Sequence, residues 1–203
     1  MAEHDVNRGV DRARRRFLVS ATTVVGTVGA VGVAVPFLSS WQPSARALAA
    51  GAPVRADISK LEPGQRIVVE WRGKPVWILS RTTEMIERTE DLGGDILADP
   101  ESVEPQQPDY VSGPMRAIRP EIGVLVGLCT HLGCSPLFKP EPNASDVGVS
   151  NWPGGFFCPC HGSRFDLAGR VYRNVPAPIN LEVPPYHFEG DSVIVIGEDG
   201  EGA

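Results

Sequence analysis

Cysteine is scarce in this 203-residue chain, which contains four cysteines and four histidines, and basic residues are not in excess. Four cysteines are too few for a small secreted scaffold held together by many disulfides. The formal net charge of −6 and the isoelectric point near 5.2 argue against nucleic acid as a partner. The hydrophobic share of 42% and the charged share of 22% are ordinary for a globular protein and argue against a disordered chain.

The charge is distributed unevenly along the chain. Residues 1–56 contain seven arginines and three acidic residues, a net charge of +4, whereas the remainder has a net charge of −10. No charged residue occurs in the 22 residues from Phe17 to Leu38, and a bilayer core needs about 20 apolar residues. We expect residues 17–38 to form a transmembrane helix, with residues 1–16 as a basic cytoplasmic leader.

The leader contains a twin-arginine motif at Arg14–Leu18, in which two arginines and one further residue precede an apolar pair. Bacteria use this motif to export proteins that have already folded around a cofactor. The alternative is the ordinary basic flank of a membrane helix. Small residues at Ala45–Ala47 also offer a cleavage pattern, so the sequence is compatible with a retained single-pass anchor and with a cleaved leader.

Beyond the apolar stretch, the sequence predicts a linker and then one domain. Residues 39–53 are rich in Ser, Ala, Gly and Pro, which is typical of a flexible linker. Residues 54–203 predict an all-β domain with little helix, which begins with a hairpin around the turn signal Arg72–Lys74. The predicted elements are strands at Arg66–Trp71, Pro75–Leu79, Ile122–Leu128, Gly169–Arg173 and Ser192–Ile196, a helix at Thr83–Glu90, and a polar loop over residues 91–115.

Two short segments hold all four cysteines and two of the four histidines. They are Cys129–Cys134, with the sequence CTHLGC, and Cys158–Ser163, with the sequence CPCHGS. Each offers one Cys/His pair and one additional cysteine. Thiolate and imidazole together suit zinc or an iron–sulfur cluster, whereas hard cations would need carboxylates.

The residues alone leave three arrangements of these segments open. A structural zinc site of two Cys and two His leaves two cysteines without a role. Two structural disulfides would leave both histidines without a role. An iron–sulfur cluster with two Cys and two His ligands accounts for all six residues, because the other two cysteines can pair.

With these two segments, the chain resembles the Rieske iron–sulfur subunits of bacterial cytochrome bc complexes. The resemblance covers nearly the whole chain, including the leader, the apolar stretch, the linker and Pro176–Pro178, and it extends to Arg81–Met85 and to Pro120-Glu121. It implies an all-β fold of stacked antiparallel sheets behind one N-terminal transmembrane helix. It also implies a small cluster-binding subdomain built from loops within about residues 128–178.

The resemblance implies a role for eight residues of the two segments. The implied ligands of one [2Fe–2S] cluster are Cys129, His131, Cys158 and His161. A disulfide between Cys134 and Cys160 is implied as well. Ser163 would donate a hydrogen bond to the cluster, Leu132 would shield it at the quinone-facing surface, and Pro176–Pro178 would cover another side.

The sequence departs from the family at two positions. The family usually has a tyrosine two residues after the serine that matches Ser163, and this tyrosine donates a hydrogen bond to a ligand cysteine. This chain has Phe165 there. Because phenylalanine has no hydroxyl, we expect a lower reduction potential than in a homologue with tyrosine. Val175 stands where the family commonly has glycine before Pro-Ala-Pro.

The function that the resemblance implies is that of a quinol–cytochrome c reductase subunit. It would accept an electron and a proton from quinol at a cytochrome b subunit and deliver the electron to a membrane-attached c-type cytochrome, contributing to proton translocation in a respiratory or photosynthetic chain. His161, with His131 also exposed, is implied as the catalytic group that hydrogen-bonds the quinol oxygen. The implied setting is the bacterial inner membrane, with a periplasmic head that swings on the linker within a dimeric complex.

Two other functions compete with this one. The first is the Rieske small subunit of an exported molybdenum oxidase such as arsenite oxidase, which can also carry a twin-arginine leader. The long linker, the CTHLGC sequence and the Pro-Ala-Pro segment favour the cytochrome bc subunit instead. The second is a membrane-tethered structural zinc module, against which the additional pair of cysteines argues.

Overall fold

The computed structural model describes residues 11–111 and 113–200. The chain divides into two compact units, one that ends at Leu48 and one that begins at Ala49. Residues 1–10 of the predicted leader lie outside the described residues, as do Ser112 and residues 201–203 of the predicted head.

The first unit contains the long helix α1, which spans Arg12–Ser39. Its N-terminus is capped by Asp11, whose carboxylate accepts hydrogen bonds from the N–H groups of Ala13 and Arg14 at 2.9 and 3.2 Å. Its 28 residues give a length of about 42 Å. With a mean hydropathy of 1.9 over 18 residues, α1 is long and apolar enough to cross a membrane, a property it shares with signal sequences near an N-terminus.

A second, six-residue helix, α2 (Ala45–Ala50), lies within the segment predicted to be a flexible linker. Its first turn is supported by Ser44, whose hydroxyl accepts the N–H of Ala47 at 3.1 Å. This helix was not predicted from the sequence, because a run of six residues is too short to show an apolar period.

The body contains three antiparallel sheets of three strands each within the described residues, and this confirms the predicted all-β class with stacked antiparallel sheets. The first has the strand order β2-β3-β4, from β2 (Arg66–Trp71), β3 (Lys74–Ser80) and β4 (Ile122–Val126). The second has the order β1-β9-β8, from β1 (Val54–Asp57), β8 (Tyr186–Glu189) and β9 (Val193–Ile196). The third has the order β5-β6-β7, from β5 (Leu137–Lys139), β6 (Gly155–Phe157) and β7 (Arg164–Phe165).

The predicted hairpin is confirmed. Trp71 pairs with Lys74, and both residues between them have positive φ, 52° at Arg72 and 72° at Gly73. This is the two-residue turn that matches the twist of paired strands. The predicted helix is confirmed as α3 (Thr83–Glu90), and the hydroxyl of Thr82 caps it by accepting the N–H of Met85 at 3.3 Å.

The strand predicted at Gly169–Arg173 is wrong. Only isolated bridges occur there, between Val171 and Phe165 and between Tyr172 and Leu97. The reason is that the N–H of Val171 donates to the side chain of Asn180 rather than to a neighbouring strand. Strands β1, β5, β6, β7 and β8 were not predicted, because runs of two to four residues show no clear alternation.

Aromatic packing joins the first sheet to the third. The indole of Trp77 in β3 stacks on the ring of Phe156 in β6, with 4.7 Å between ring centroids. Both side chains are buried in the main hydrophobic core. The indole occupies the space beside Gly127, where a Cβ would lie 2.3 Å from the ring, so the chain leaving β4 must have glycine there.

Three buried arginines hold residues 166–170, the segment that follows β7. Arg81 donates twice to one carbonyl of this segment, at 3.2 and 3.0 Å, and Arg116 donates to the next carbonyl at 3.1 Å. Arg170 donates from Nε to the carboxylate of Asp166 at 2.6 Å. Burial lowers the pKa of Arg81 and of Arg116 to about 10, so both remain charged at neutral pH.

We expect Asp166→Asn to lower the free energy of unfolding by about 3–5 kcal/mol, because it leaves Arg170 buried without its counter-charge. Denaturant unfolding of the purified full chain measures this change. The matched control is Asp191→Asn, which removes an exposed partner of Arg119 at 3.7 Å and should leave stability unchanged. Equal stability of the two variants would contradict the structural role of the buried pair.

Candidate metal centre

The two Cys/His segments form loops with the same local geometry, here called site loop 1 (Cys129–Cys134) and site loop 2 (Cys158–Ser163). In each loop the N–H of the first residue donates to the C=O of the sixth, at 2.7 and 2.8 Å. The N–H of the fifth residue donates to the C=O of the first, at 2.8 and 2.9 Å. The fifth residue is Gly133 in one loop and Gly162 in the other, with φ of 79° and 77°, a conformation that favours glycine.

The shared backbone geometry of the two site loops was not predicted from the sequence. Its signal was a glycine four residues after the first cysteine of each segment. The loops come from different sheets, because site loop 1 follows β4 closely and site loop 2 connects β6 to β7. Their matching backbone geometry presents one Cys/His pair from each side.

The structure brings the predicted ligands together in two pairs, Cys129 with Cys158 and His131 with His161. Cys129 and Cys158 are free thiols, and both are buried. The rings of His131 and His161 meet edge to face, with 4.7 Å between centroids and 88° between planes. Nδ1 of His131 is buried without a hydrogen-bond partner among the described residues. A buried imidazole nitrogen without a hydrogen-bond partner is a donor that a metal would complete.

The surroundings of Cys158 act on its thiol in opposite directions. Burial raises the pKa of this thiol, and the neighbouring thiol of Cys129 raises it further, whereas hydrogen bonds from the backbone N–H groups of Cys160 and His161 lower it. Those N–H groups stabilise negative charge on the sulfur. Metal coordination would deprotonate the thiol outright, so the site is suited to a thiolate ligand.

The predicted disulfide between Cys134 and Cys160 is present and joins the two site loops. The sulfur of Cys158 lies within 4.8 Å of both disulfide sulfurs, but the disulfide leaves neither of them as a thiolate ligand. In a chain-entropy model, a crosslink across this sequence separation stabilises the fold by about 3–4 kcal/mol. The bond therefore clamps the loops without being part of the donor set.

The tip of the site is open to its surroundings. The side chain of Leu132 is 71% exposed, His161 is exposed and His131 is partly exposed. The sulfur ligands thus lie toward the core, whereas the imidazoles lie toward the surface. A centre held in this way can exchange electrons and protons with a partner at the histidine end.

A third segment, Pro176–Ile179, here called the covering segment, contacts both site loops. The N–H of Ala177 donates to Oγ of the fully buried Ser163 at 3.0 Å. The hydroxyl of Thr130, which the sequence analysis did not single out, donates to the last carbonyl of the segment at 2.7 Å. Val175, just before the segment, packs against the core and has no positive φ, so its backbone does not require the family's glycine.

Two family models match the chain. The model described as "Rieske [2Fe-2S] domain" matches residues 54–185, and the model described as "Ubiquitinol-cytochrome C reductase Fe-S subunit TAT signal" matches residues 5–44. The first match covers more than half of the chain. It identifies the cofactor as a [2Fe–2S] cluster, for which the two thiols and two imidazoles between the site loops are suitable donors.

The curated relatives are similar over almost their whole length. The ubiquinol-cytochrome c reductase iron-sulfur subunit of Allochromatium vinosum is 58% identical over 192 residues, covering 95% of this chain and 92% of that protein. The subunit of the same name from Blastochloris viridis is 43% identical over 187 residues, covering 92% and 94%. A chain of the solved structure "Hyperthermophilic respiratory Complex III" is 28% identical, covers 86% of this chain and 98% of that chain, and has a TM-score of 0.45.

Phe165 is fully buried in β7, directly after site loop 2. We expect Phe165→Tyr to raise the midpoint potential of the cluster, because a hydroxyl there can donate to a ligand sulfur and stabilise the reduced state. A tenfold change in the reduction equilibrium corresponds to about 59 mV for one electron. A redox titration followed by EPR measures the shift. Phe188→Tyr in β8 is the matched control and should leave the potential unchanged; an unchanged midpoint in Phe165→Tyr would contradict the prediction.

Proposed function

Because the chain belongs to the Rieske iron–sulfur subunits of ubiquinol–cytochrome c reductase, we propose that it accepts an electron and a proton from quinol at a cytochrome b subunit. It then delivers the electron to a membrane-attached c-type cytochrome. The observation that carries this proposal is the meeting of two imidazoles, His131 and His161, at the exposed tip above two buried cysteines. Electron and proton can leave a substrate together only where a redox centre and a proton acceptor adjoin.

The ligands in this proposal are divided between the two irons. Cys129 and Cys158 would hold one iron, and His131 and His161 would hold the other. The bound cluster supplies one-electron chemistry at a potential raised by its two neutral ligands. Ser163 donates a hydrogen bond toward the cluster, and its full burial supports this role, because water cannot compete for the hydroxyl.

The histidines carry the proton in this mechanism. Nδ1 of His131 is the buried nitrogen and is assigned to the metal, which leaves Nε2 for proton exchange. His161, the more exposed of the two, is proposed as the catalytic group that hydrogen-bonds the quinol oxygen and takes its proton. Leu132, beside His131, shields the site from water when the tip contacts the cytochrome b subunit.

The proposed location is the bacterial inner membrane, with a single span at residues 17–38 and the head, residues 54–203, on the periplasmic side. Three observations support it: the match of residues 5–44 to a twin-arginine signal model, the hydropathy of α1, and the disulfide, which persists in an oxidising compartment. The leader, residues 1–16, stays cytoplasmic. The complex is proposed to be dimeric. The signal model that matches residues 5–44 is that of the ubiquinol–cytochrome c reductase subunit, which also favours this function over that of a molybdenum oxidase subunit.

The proposal is tested by EPR of dithionite-reduced membranes that contain the full chain, with iron and sulfide quantified. We expect the rhombic signal of a histidine-ligated [2Fe–2S] centre and equal amounts of iron and sulfide. His161→Ala should abolish the signal because it removes a ligand. His187→Ala, outside the site loops in β8, should retain it. Zinc in place of iron, with no signal, would contradict the redox function.

Movement of the head is proposed to occur on residues 39–53. We expect Ala47→Pro combined with Ala49→Pro to slow quinol–cytochrome c turnover and to leave the EPR signal unchanged, because proline fixes φ at both positions and interrupts α2, which changes the path of the segment. The same two positions changed to glycine form the matched control, which should keep turnover near the wild-type rate. Wild-type turnover in the proline variant would contradict a swinging head.

A further inference from the structure

The side chain of Asn180 is fully buried, and both its oxygen and its nitrogen are paired. Oδ1 accepts the N–H of Val171 at 2.8 Å, and Nδ2 donates to the C=O of Asp99 and to Oγ of Ser102, both at 3.0 Å. These partners fix the orientation of the amide, because a backbone N–H must face its oxygen and a backbone C=O must face its nitrogen. Asn180 therefore fastens its own stretch of chain to two other segments of the body.

Asn180 directly follows the covering segment, Pro176–Ile179. One N–H of that segment donates to Ser163 Oγ at 3.0 Å, and one of its carbonyls accepts the hydroxyl of Thr130 at 2.7 Å. The segment is thus held by the site loops on one side and by the amide of Asn180 on the other. Only two residues separate Asn180 from Ala177, whose N–H donates to Ser163. A shift of Asn180 would therefore be transmitted to Ser163.

The hydrogen bond from the covering segment determines where the hydroxyl of Ser163 can point. A serine hydroxyl has one hydrogen to donate and two lone pairs that accept. The N–H of Ala177 occupies one lone pair, and among the described residues Ser163 Oγ has this single partner. The hydroxyl hydrogen must therefore point away from Ala177, and it is left for a group held between the site loops. A buried hydroxyl without an acceptor would be costly.

We infer that Asn180 is a positioning residue for the cluster. Through the covering segment it sets the orientation of the Ser163 hydroxyl, and so the strength of the hydrogen bond that stabilises the added electron. The inference rests on the cluster assignment proposed above and adds a control of the potential from outside the site loops. Asn180 contacts neither a ligand nor the quinol; its effect passes entirely through Ser163.

A double-mutant cycle measured by EPR-monitored redox titration of the full chain in membranes tests this pathway. We expect Asn180→Ala to lower the reduction equilibrium constant about threefold, which is about 28 mV for a one-electron couple. In a Ser163→Ala background, the same substitution should leave the midpoint unchanged, because the hydrogen bond it acts through is already lost. An equal shift in both backgrounds, or no shift in either, would overturn the inference.

Two further variants separate positioning from general destabilisation. Ser102→Ala removes one of the three partners of Asn180 and should shift the midpoint in the same direction by a smaller factor, which keeps the test available if Asn180→Ala does not accumulate. Thr89→Val removes a buried hydrogen bond in α3, from its hydroxyl to the Met85 carbonyl at 2.6 Å, and leaves all three partners of Asn180 in place. It should lower the melting temperature but not the midpoint; a midpoint shift as large as that of Asn180→Ala would refute the inference.

The same samples distinguish a failure of this inference from a failure of the proposed function. Iron and sulfide are quantified in each variant together with the EPR signal. A full cluster content with equal shifts in both backgrounds refutes only the role of Asn180. Absence of the cluster from the wild-type chain refutes the proposed function itself.

Discussion

The convergence of two loops from different sheets is the constraint on which the rest of the structure depends. Neither loop contains a complete donor set, because each supplies one thiol and one imidazole. The arrangement of these thiols and imidazoles is therefore a property of how the β2-β3-β4 and β5-β6-β7 sheets pack. The Trp77–Phe156 stack joins these sheets within the core, and the Cys134–Cys160 disulfide joins the loops near the surface. The tip is thus fixed at both ends.

The same arrangement separates the two kinds of ligand by environment. The thiols of Cys129 and Cys158 are buried, and backbone N–H groups near Cys158 favour negative charge on its sulfur. The imidazoles of His131 and His161 lie at the open end, where a partner can reach them. In the proposed function, the buried thiols hold the centre on the core side, and the imidazoles exchange protons at the open end. This polarity is what coupled electron and proton transfer requires of a protein.

The interior contains three buried arginines, a residue type that is rarely buried in full unless it is paired. Arg81, Arg116 and Arg170 are buried with Asp166 as their buried acidic neighbour, and each also donates to backbone carbonyls. Such hydrogen bonds offset part of the cost of burying charge. Their targets include the segment that follows site loop 2. The arginines therefore hold the chain that follows site loop 2, in addition to the disulfide that joins the loops. The covering segment, held by Asn180, supports the site loops through Ser163 and Thr130.

Local patterns in the sequence determined the features whose causes are local. The Cys/His spacing indicated a site for zinc or an iron–sulfur cluster, Arg72–Lys74 indicated the hairpin, and the pattern at Thr83–Glu90 indicated α3, because each depends on residues within a few positions of one another. Other hydrogen bonds join residues that are far apart in the sequence. Thr130 donates to Ile179 over 49 positions, and Asn180 donates to Asp99 over 81 positions. No periodicity marks such pairs, since they form only after the sheets have packed. The sequence by itself determined which thiols and imidazoles the site can offer, whereas only the tertiary structure decided which hydrogen bonds hold the site loops in place.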